Sequence, residues 1–341
     1  MRNATRNLFT AYAQQVATIS GVADAAKTFS VEPSVQQTVE KRIQESSEFL
    51  GRINIVGVED LKGEKVGIGV SGTIAGRTDT SVNGQRRNPR DVSALDSTGY
   101  ECSKTDFDTA IRYALLDAWA HQPNFQILLR DAIVKQQALD RLMIGFHGTS
   151  IAADTNRAAN PLLQDVNKGW LQHQREDAPD YVLTEVEAAS GTIKVGATAT
   201  AANGYKNLDA LVYDAIGLLD PWYRKRPDLI VIAGRDLVHD KYFPMINSDQ
   251  PATEKLATDL ILSQKRMGGL QVVEVPYMPD GALAVTSLQN LSIYYQIGGR
   301  RRSLREEPEY NRVANYESSN DAYVVEDKGL LALVENIEIV A

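Results

Sequence analysis

The sequence predicts an α+β chain with one long excursion from its body, and three observations support this prediction. Helical and strand-like segments follow one another without the regular βαβ repeats of a parallel sheet. A polar stretch rich in turn-forming residues separates two strand-like segments within 61–112. One strongly amphipathic helix is predicted over 124–146. With 341 residues, the chain has room for one elaborated domain or for two domains of about 150 residues each.

The N-terminal part is predicted to contain a helix, a hinge and a second helix. Apolar residues in 1–20 recur at steps of three or four, which predicts an amphipathic helix. The stretch 23–30 predicts a weakly structured hinge. A second helix is predicted over 34–50, between Pro33 and Gly51, and alternation over 52–56 predicts a strand. The apolar positions of the first helix are Leu8, Tyr12, Val16 and Ile19.

The excursion at 61–112 is predicted to be a long β-hairpin. A glycine-spaced strand around Val66 and Ile68 forms one arm, and 100–113 forms the other. Two arms of roughly 18 residues at ~3.3 Å per residue would reach on the order of 60 Å. A loop of this size usually acts outside its own domain. The tip, defined as residues 76–90, has a net charge of +3 from Asp79 and four arginines, Arg77, Arg86, Arg87 and Arg90.

The helix over 124–146 is the strongest helical prediction in the chain. At 1.5 Å per residue it is roughly 33 Å long. Its apolar stripe includes Leu139 and Leu142, whereas Arg141 is predicted to lie largely off the stripe. Further along, helices are predicted over 208–219 and 236–243, and strands over 229–232, 270–275, 283–288 and 291–295, with β-rich runs at 323–340.

The composition excludes several classes of protein. Lys and Arg total 36 against 44 Asp and Glu, a net charge of −8, so the chain lacks the cationic surface that gripping nucleic-acid phosphates requires. The one cysteine, Cys102, excludes an internal disulfide framework and a cysteine-rich zinc site. No apolar run approaches the ~20 residues that cross a bilayer, so we expect a soluble chain made in the cytosol, with no membrane partner.

No pattern singles out catalytic, cofactor-binding or metal-ligating residues. The glycines at 67–72 match G-x-G-x-x-G, but no helical period follows them, so a glycine-rich hairpin arm is favoured over a nucleotide site. A nucleotide-dependent α/β enzyme is the disfavoured alternative. We therefore expect a protein that is not an enzyme and has no cofactor. Four histidines lack a second ligand at a zinc-like spacing, namely His121, His147, His173 and His239.

The tip and the C-terminal part of the chain carry opposite charges. Residues 304–341 hold nine acids and three bases, a net charge of −6, against +3 for the tip. Complementary charge predicts that the tip of one subunit meets acidic groups of another. Two solvated faces that never meet are the alternative, and charge alone favours neither. RNA binding by the tip is disfavoured, because the tip has no aromatic residue on which bases could stack.

Short strings over almost the whole chain resemble a known family. They are FSVEPSV at 29–35, QESSEFL at 44–50, RINIV at 52–56, KGEK at 62–65, NPLLQDV at 160–166, GWLQ at 169–172, KYFP at 241–244, NLSIYY at 290–295, NYES at 315–318 and YVVED at 323–327. In these strings and in the order of its elements, the chain is similar to the major capsid protein of P2-like tailed phages.

The resemblance implies the HK97 fold, which is the shell fold of tailed phages. It names the hairpin as the extended loop and the amphipathic helix as the spine helix. The implied division is 1–29 as a propeptide that contacts scaffold, 30–60 as the N-terminal arm, 61–112 as the extended loop, 113–207 as the peripheral domain with its spine helix at 124–146, 208–298 as the axial domain, and 299–341 as a return to the peripheral domain.

The resemblance also implies a function and partners. Copies of the chain would form the pentamers and hexamers of an icosahedral shell, first as a procapsid and then as the capsid of the virion, around double-stranded DNA bound without sequence specificity. The implied partners are a scaffolding protein, a maturation protease that trims the chain near Phe29 and Ser30, and a portal at one vertex. A shell of the same fold used as a cellular nanocompartment is the alternative.

Some shells of this fold join the loop to a neighbouring subunit by a Lys–Asn isopeptide bond. Residues 73–98 contain no lysine, so we expect a non-covalent contact in this chain. A guanidinium group forms bidentate bonds with carboxylates. The arginines of the tip are therefore expected to bind acidic groups of an adjacent subunit, with Glu306, Glu307 and Glu309 as the candidates.

Overall fold

The computed structural model describes residues 1–70, 75, 77–79, 81, 86–87, 93–119, 125–246 and 264–340. Helices and sheets are both present without regular βαβ repeats, although β10 and β12 run parallel with α7 between them, and this confirms the predicted α+β class. In these ranges no helix is both long and apolar enough to span a bilayer. The helices are α1 (Asn3–Ile19), α2 (Pro33–Glu45), α3 (Tyr113–Trp119), α4 (Phe125–His147), α5 (Trp170–Asp177), α6 (Leu208–Leu218) and α7 (Arg235–Ile246).

The strands are short apart from the hairpin arms and one long strand near the C-terminus. They are β1 (Phe29–Ser30), β2 (Asn54–Val58), β3 (Lys62–Val70), β4 (Ser93–Glu101), β5 (Ser103–Asp106), β6 (Thr109–Arg112), β7 (Val182–Leu183), β8 (Ile193–Gly196), β9 (Gly204–Tyr205), β10 (Ile230–Ala233), β11 (Arg266–Met267), β12 (Leu270–Glu274), β13 (Leu283–Thr286), β14 (Leu291–Gln296), β15 (Arg301–Glu307), β16 (Arg312–Val325), β17 (Ala332–Val334) and β18 (Ile337–Val340).

The largest sheet is built around the long strand β16. Its order is β1-β15-β16-β14-β2, and β5 and β6 also pair with β16. All contacts of β16 are antiparallel, whereas β14 and β2 run parallel. A strand of this length can hold several partners at different positions along its edges. The same sheet therefore collects segments from both ends of the chain.

The helix α4 packs against this sheet together with α2 and α5, and Trp170 lies at the centre of the contact. Its indole ring is fully buried and meets the rings of Phe146 and Tyr323 edge-on, with centroids 5.3 and 5.4 Å apart. The indole Nε1 donates to the Ser292 carbonyl at 2.9 Å. A Cβ atom at Gly145 would lie 2.3 Å from the Trp170 ring, so only glycine permits this approach.

A second, six-stranded sheet has the order β11-β12-β10-β13-β17-β7 and holds a separate apolar cluster with α6 and α7. Its central strand β10 is buried at every residue, as predicted for 229–232. The sheets do not coincide with the predicted segment 208–298. The strand β14 belongs to that segment but lies in the first sheet, whereas β7 and β17 lie outside the segment but belong to the second sheet. A third sheet joins β18, β8 and β9.

The predicted hairpin is present, and the described residues contain nine residues of each arm. The strands β3 and β4 pair antiparallel from Lys62 with Glu101 to Val70 with Ser93. These nine paired residues span about 30 Å at ~3.3 Å each, and the further reach expected of the hairpin falls on residues 71–92, most of which lie outside the described ranges. The prediction of an arm over 100–113 was wrong, because β5 and β6 of that stretch pair with β16 instead.

Two N-terminal boundaries also differ from the predictions. The second helix ends at Glu45, followed by a short 3-10 turn at Leu50–Arg52. The predicted hinge over 23–30 ends in a paired strand, since Phe29 lies opposite Arg302 and Ser30 opposite Arg301. Phe29 is also 9% exposed. Local sequence does not contain the partner strand, so this pairing was not predicted.

Replacing Leu142 by alanine is expected to cost about 2–5 kcal/mol of the free energy of unfolding, because its side chain is fully buried in the cluster around Trp170. Urea titration of the unassembled subunit, followed by tryptophan fluorescence, measures this change. Leu139→Ala is the matched control, because Leu139 is only half-buried and its truncation removes fewer contacts. Equal losses in the two variants would contradict this assignment of the buried face.

Candidate assembly surface

The hairpin places part of the arginine-rich tip beyond the paired strands. Arg77, Arg86 and Arg87 are exposed, whereas Arg90 lies outside the described residues. Exposed guanidinium groups on a projecting hairpin can bind carboxylates on the surface of another subunit. Their placement is compatible with the predicted contact between subunits.

The base of the hairpin is fixed to the body by specific contacts. Tyr100 packs edge-on against Tyr294 with ring centroids 5.1 Å apart, and Lys62 pairs with Glu101 at 2.7 Å. A Cβ atom at Gly63 would lie 2.6 Å from the Tyr100 ring, so the bare glycine lets this ring cover the strand. Next to it Cys102 is 2% exposed, and burial raises the pKa of its thiol to about 12. This thiol is a packed group and not a nucleophile.

Two of the three candidate acids already bind groups of their own chain. Glu306 accepts hydrogen bonds from Arg6 Nη2 and from the Tyr113 hydroxyl, each at 2.9 Å to Oε1. Glu307 accepts from the Tyr316 hydroxyl and from Arg312 Nε, and these two bonds lower the pKa of its carboxyl. The exposed Glu309 forms no hydrogen bond or ion pair within the part of the chain that the structure describes.

The segment 1–29, called here the N-terminal segment, contacts Glu306, one of these acids. Besides the Arg6 contact with Glu306, the backbone N–H of Arg2 donates to Asp117 at 2.9 Å. The helix α1 buries Val16, but Leu8 and Ile19 are 48% and 56% exposed. The buried face of α1 is thus rotated from the predicted stripe. A cavity of about 340 Å³ separates α1 from the sheet and α4, lined among others by Phe9, Leu129, Ile133 and Leu304.

The expected trimming position lies within β1, where the N-terminal segment joins the sheet. Beyond the β1 pairing, the Val31 N–H donates to the Arg300 carbonyl and the Leu304 N–H to the Ala25 carbonyl, both at 2.9 Å. Proteases cut extended, unpaired chain. The bond between Phe29 and Ser30 can therefore enter a protease only after β1 leaves the edge of β15.

A buried ionic cluster joins the N-terminal arm, α4 and the large sheet behind this surface. Arg141 is fully buried and donates to Glu40 through Nη1 and Nη2 at 2.5 and 3.2 Å, and to Asp321 through Nε at 3.1 Å. Arg300, also buried, donates to Glu40 at 2.7 Å and to Glu317 at 2.8 Å. These bonds connect α2, α4, β16 and the turn before β15.

The cluster holds two arginines and three carboxylates. Their unequal surroundings move the pKa values of the three acids in different directions. Burial opposes charge on Glu40, but the adjacent guanidinium groups of Arg141 and Arg300 outweigh it and hold its pKa below the usual range. The same balance lowers the pKa of Glu317. Burial raises the pKa of Asp321, although Arg141 opposes the shift. Glu40 is thus the ionised centre of the cluster, which depends on both arginines.

The sequence pattern did not predict this cluster, because Arg141 lies off the apolar stripe that the pattern indicates. The buried face of α4 runs instead through Gln137, Ala138, Arg141, Leu142 and Gly145. Gly145 makes room for the Trp170 ring and not for the guanidinium group, so no local pattern in α4 indicated a buried arginine. Its partners Glu40 and Asp321 are 101 and 180 residues away in sequence.

Known proteins match the chain over nearly its full length. The family model described as "Phage major capsid protein, P2 family" matches residues 8–337. The "Capsid proteins" of Escherichia phage P2 are 49% identical over 347 residues, covering 99% of this chain and 96% of the relative. The "Major capsid protein" of Serratia phage KSP20 is 45% identical over 345 residues, covering 99% of this chain and 97% of the relative.

Solved structures agree with these sequence matches. A chain from the "Satellite phage P4 procapsid including size determination (Sid) protein" has a TM-score of 0.81 and 48% identity, covering 100% of this chain and 99% of that one. A chain from the "Capsid of empty GTA particle" has a TM-score of 0.51 and 17% identity over 86% of this chain and 90% of that one. The second likeness concerns the fold alone.

Proposed function

We propose, from the premise that this chain belongs to the P2 family of phage major capsid proteins, that copies of it assemble into the pentamers and hexamers of an icosahedral shell around double-stranded DNA. One observation carries the proposal, namely the match of the entire chain to a procapsid subunit at a TM-score of 0.81. The exposed arginines of a projecting hairpin support the same function, because such an element suits contact with a second copy.

The two large sheets provide the basis for assigning the peripheral and axial domains. We assign the seven-stranded sheet with α4 to the peripheral domain, and the six-stranded sheet with α6 and α7 to the axial domain. Axial domains of neighbouring subunits would meet around the five-fold and six-fold axes. The segments 1–29, 30–60 and 61–112 would be the propeptide, the arm and the extended loop. The strands β7 and β17 extend the axial sheet from outside 208–298.

The charge of the chain suits a container for DNA. A net charge of −8 disfavours a wall that grips phosphates, and packaged DNA must slide in and later leave. We expect purified particles to protect double-stranded DNA from added nuclease. Particles that hold a protein cargo and no DNA would contradict this function and identify a cellular nanocompartment instead.

The proposed partners follow from the same family. They are a scaffolding protein in the procapsid, a maturation protease and a portal at one vertex, with the chain made in the host cytoplasm and ending in the virion. The chain would act by assembly and not by catalysis, as membership of a family of structural shell proteins implies.

Mass spectrometry of mature particles is expected to show chains that begin within a few residues of Ser30. The physical reason is that the N-terminal segment is attached at the sheet edge by the two-residue strand β1 and can detach without disturbing the main core. Assembled but immature particles are the control and should retain the full chain. Infectious particles built from intact chains that include Met1 would contradict the trimming.

A further inference from the structure

The helix α6 crosses the six-stranded sheet from one edge to the other, with contacts to β11, β13 and β17. Near its start, the Asp209 carboxylate accepts from the Gly268 N–H at 2.7 Å, beside the edge strand β11. Past its end, Asp220 accepts from the Tyr181 hydroxyl at 3.0 Å, beside the opposite edge strand β7. Six strands with about 4.8 Å between neighbours place these edges roughly 24 Å apart. The two ends of α6 therefore mark two different sides of one sheet.

The loop 221–227, which follows α6, exposes a tryptophan on the β7 side. Trp222 is 66% exposed and meets the Tyr223 ring edge-on with centroids 5.8 Å apart. The Tyr223 hydroxyl donates to Asp327, so the loop is fixed to the body beside that tryptophan. Residues 224–226 are all basic and the loop contains no acid, which gives it a net charge of +3. Exposed tryptophan and basic groups are typical of residues that carry binding energy at protein interfaces.

Lys225 is the base of this loop that is available to a partner. It is exposed and forms no hydrogen bond or ion pair within the part of the chain that the structure describes. Arg226 already pairs with Asp228 at 2.7 Å. Arg224 Nε donates to the Leu219 carbonyl at 2.7 Å.

The exposed face of α6 on the β11 side is aromatic and acidic. Tyr213 is 76% exposed, and a Cβ atom at Gly268, just after β11, would lie 3.1 Å from its backbone nitrogen. Ala210 and Gly217 are exposed one turn to either side of Tyr213, and a Cβ atom at Gly217 would meet nothing within 4 Å. Asp214 is the next residue, and α6 has a net charge of −2 with no basic residue. The small neighbours leave room for a second ring to pack on Tyr213.

Two different patches of opposite charge on opposite sides of one sheet suit a head-to-tail contact. A contact between identical patches would place +3 against +3 or −2 against −2. A head-to-tail contact uses one patch of each kind in every subunit, and it closes into a ring when the rotation fits. Each copy then gives its loop to one neighbour and its α6 face to the other.

We propose that Trp222 of one copy packs on Tyr213 of the next copy in the same ring, with Lys225 of the first beside Asp214 of the second. The occupant of each patch is thus a second copy of this chain. The proposal rests on the proposed function, because it needs rings of subunits. It adds the residues that hold neighbours together within a ring.

Cross-linking in assembled particles tests the contact. Ala210→Cys and Pro221→Cys, both at exposed positions, are combined in one chain and treated with a short bis-maleimide, while the native Cys102 is 2% exposed and too buried to react. Each single-cysteine chain is a matched control, because a head-to-tail contact does not bring two copies of one position together. Particles of the wild-type chain establish first that rings form.

The expected denaturing gel shows a ladder that stops at five and six subunits for the double-cysteine chain, and monomers for each single-cysteine chain. Adding Trp222→Ala should lower the ladder yield at least about fivefold, the ratio that ~1 kcal/mol corresponds to. Tyr310→Ala removes a similarly exposed ring, 64% exposed, between β15 and β16 and should leave the yield unchanged. Trp222→Ala without added cysteines should also lower the yield of sedimenting particles.

Wild-type rings together with only monomers from double-cysteine particles would overturn this contact and leave the proposed function standing. Normal particle yield from Trp222→Ala would overturn it as well. Dimers from either single-cysteine chain would overturn the head-to-tail arrangement. A wild-type chain that forms no rings would overturn the proposed function and this contact with it.

Discussion

Replacing Arg141 by alanine is expected to lower the free energy of unfolding by about 3–5 kcal/mol, because it leaves Glu40 and Asp321 as buried charges without their main partner. Arg300 still reaches Glu40 at 2.7 Å but forms no hydrogen bond or ion pair with Asp321. Urea titration of the unassembled subunit measures the loss. If the loss exceeds the stability of the subunit, the chain will not fold and will be recovered only in the insoluble fraction.

Arg130→Ala is the matched control on the same helix, since Arg130 is 47% exposed and its one ion pair among the described residues is with its neighbour Asp131. It should change stability by less than about 0.5 kcal/mol. Arg141→Lys keeps the charge but loses the planar fork and should fall between the two. An Arg141→Ala subunit as stable as Arg130→Ala would show that the buried cluster does not hold the arm, α4 and the sheet together.

Reversing both Arg86 and Arg87 to glutamate is expected to abolish or strongly reduce the yield of closed particles. Each exposed pair contributes only ~0–1 kcal/mol, but the contact repeats in every subunit of the shell. The deficit should be greatest at low ionic strength, where repulsion between the reversed tip and Glu309 is least screened. Sedimentation of assembly reactions at increasing salt measures the yield.

Two controls make this prediction specific to charge. Arg86→Lys with Arg87→Lys keeps the charge and should assemble close to the wild-type yield. Adding Glu309→Arg to the reversed tip should restore part of the yield, because the pair is then inverted and attractive again. Denaturing gels of mature wild-type particles should contain monomer-sized bands. A covalent ladder on such gels, or normal assembly of the double reversal, would contradict a non-covalent grip by the tip.

The local sequence was sufficient to predict the elements whose burial pattern is set by their own residues. The apolar strand at 230–233 and the helix at 208–218 occur close to their predicted positions, and Asn207 caps that helix through a bond from the Ala210 N–H at 2.8 Å. In both elements, the residues that determine the structure lie within the element itself. Periodicity therefore predicts them well.

Local sequence was insufficient where a distant partner decides the structure. The stretch 100–113 has strand propensity throughout, but only the pairing of β5 and β6 with β16 divides it between the hairpin and the sheet. Arg141 has a polar side chain on an apolar helix, and its burial depends on Glu40 and Asp321 far along the chain. The contact of Arg6 with Glu306 spans 300 positions, so no local pattern could indicate that the N-terminal segment covers this face.

Cryo-electron microscopy of particles assembled from this chain tests the central claim most directly. The expected result is a closed icosahedral shell of five- and six-subunit clusters, with each arginine tip seated on the acidic face of an adjacent subunit near Glu309. Particles without closed symmetry, or hairpins that fold back on their own subunit, would contradict the account.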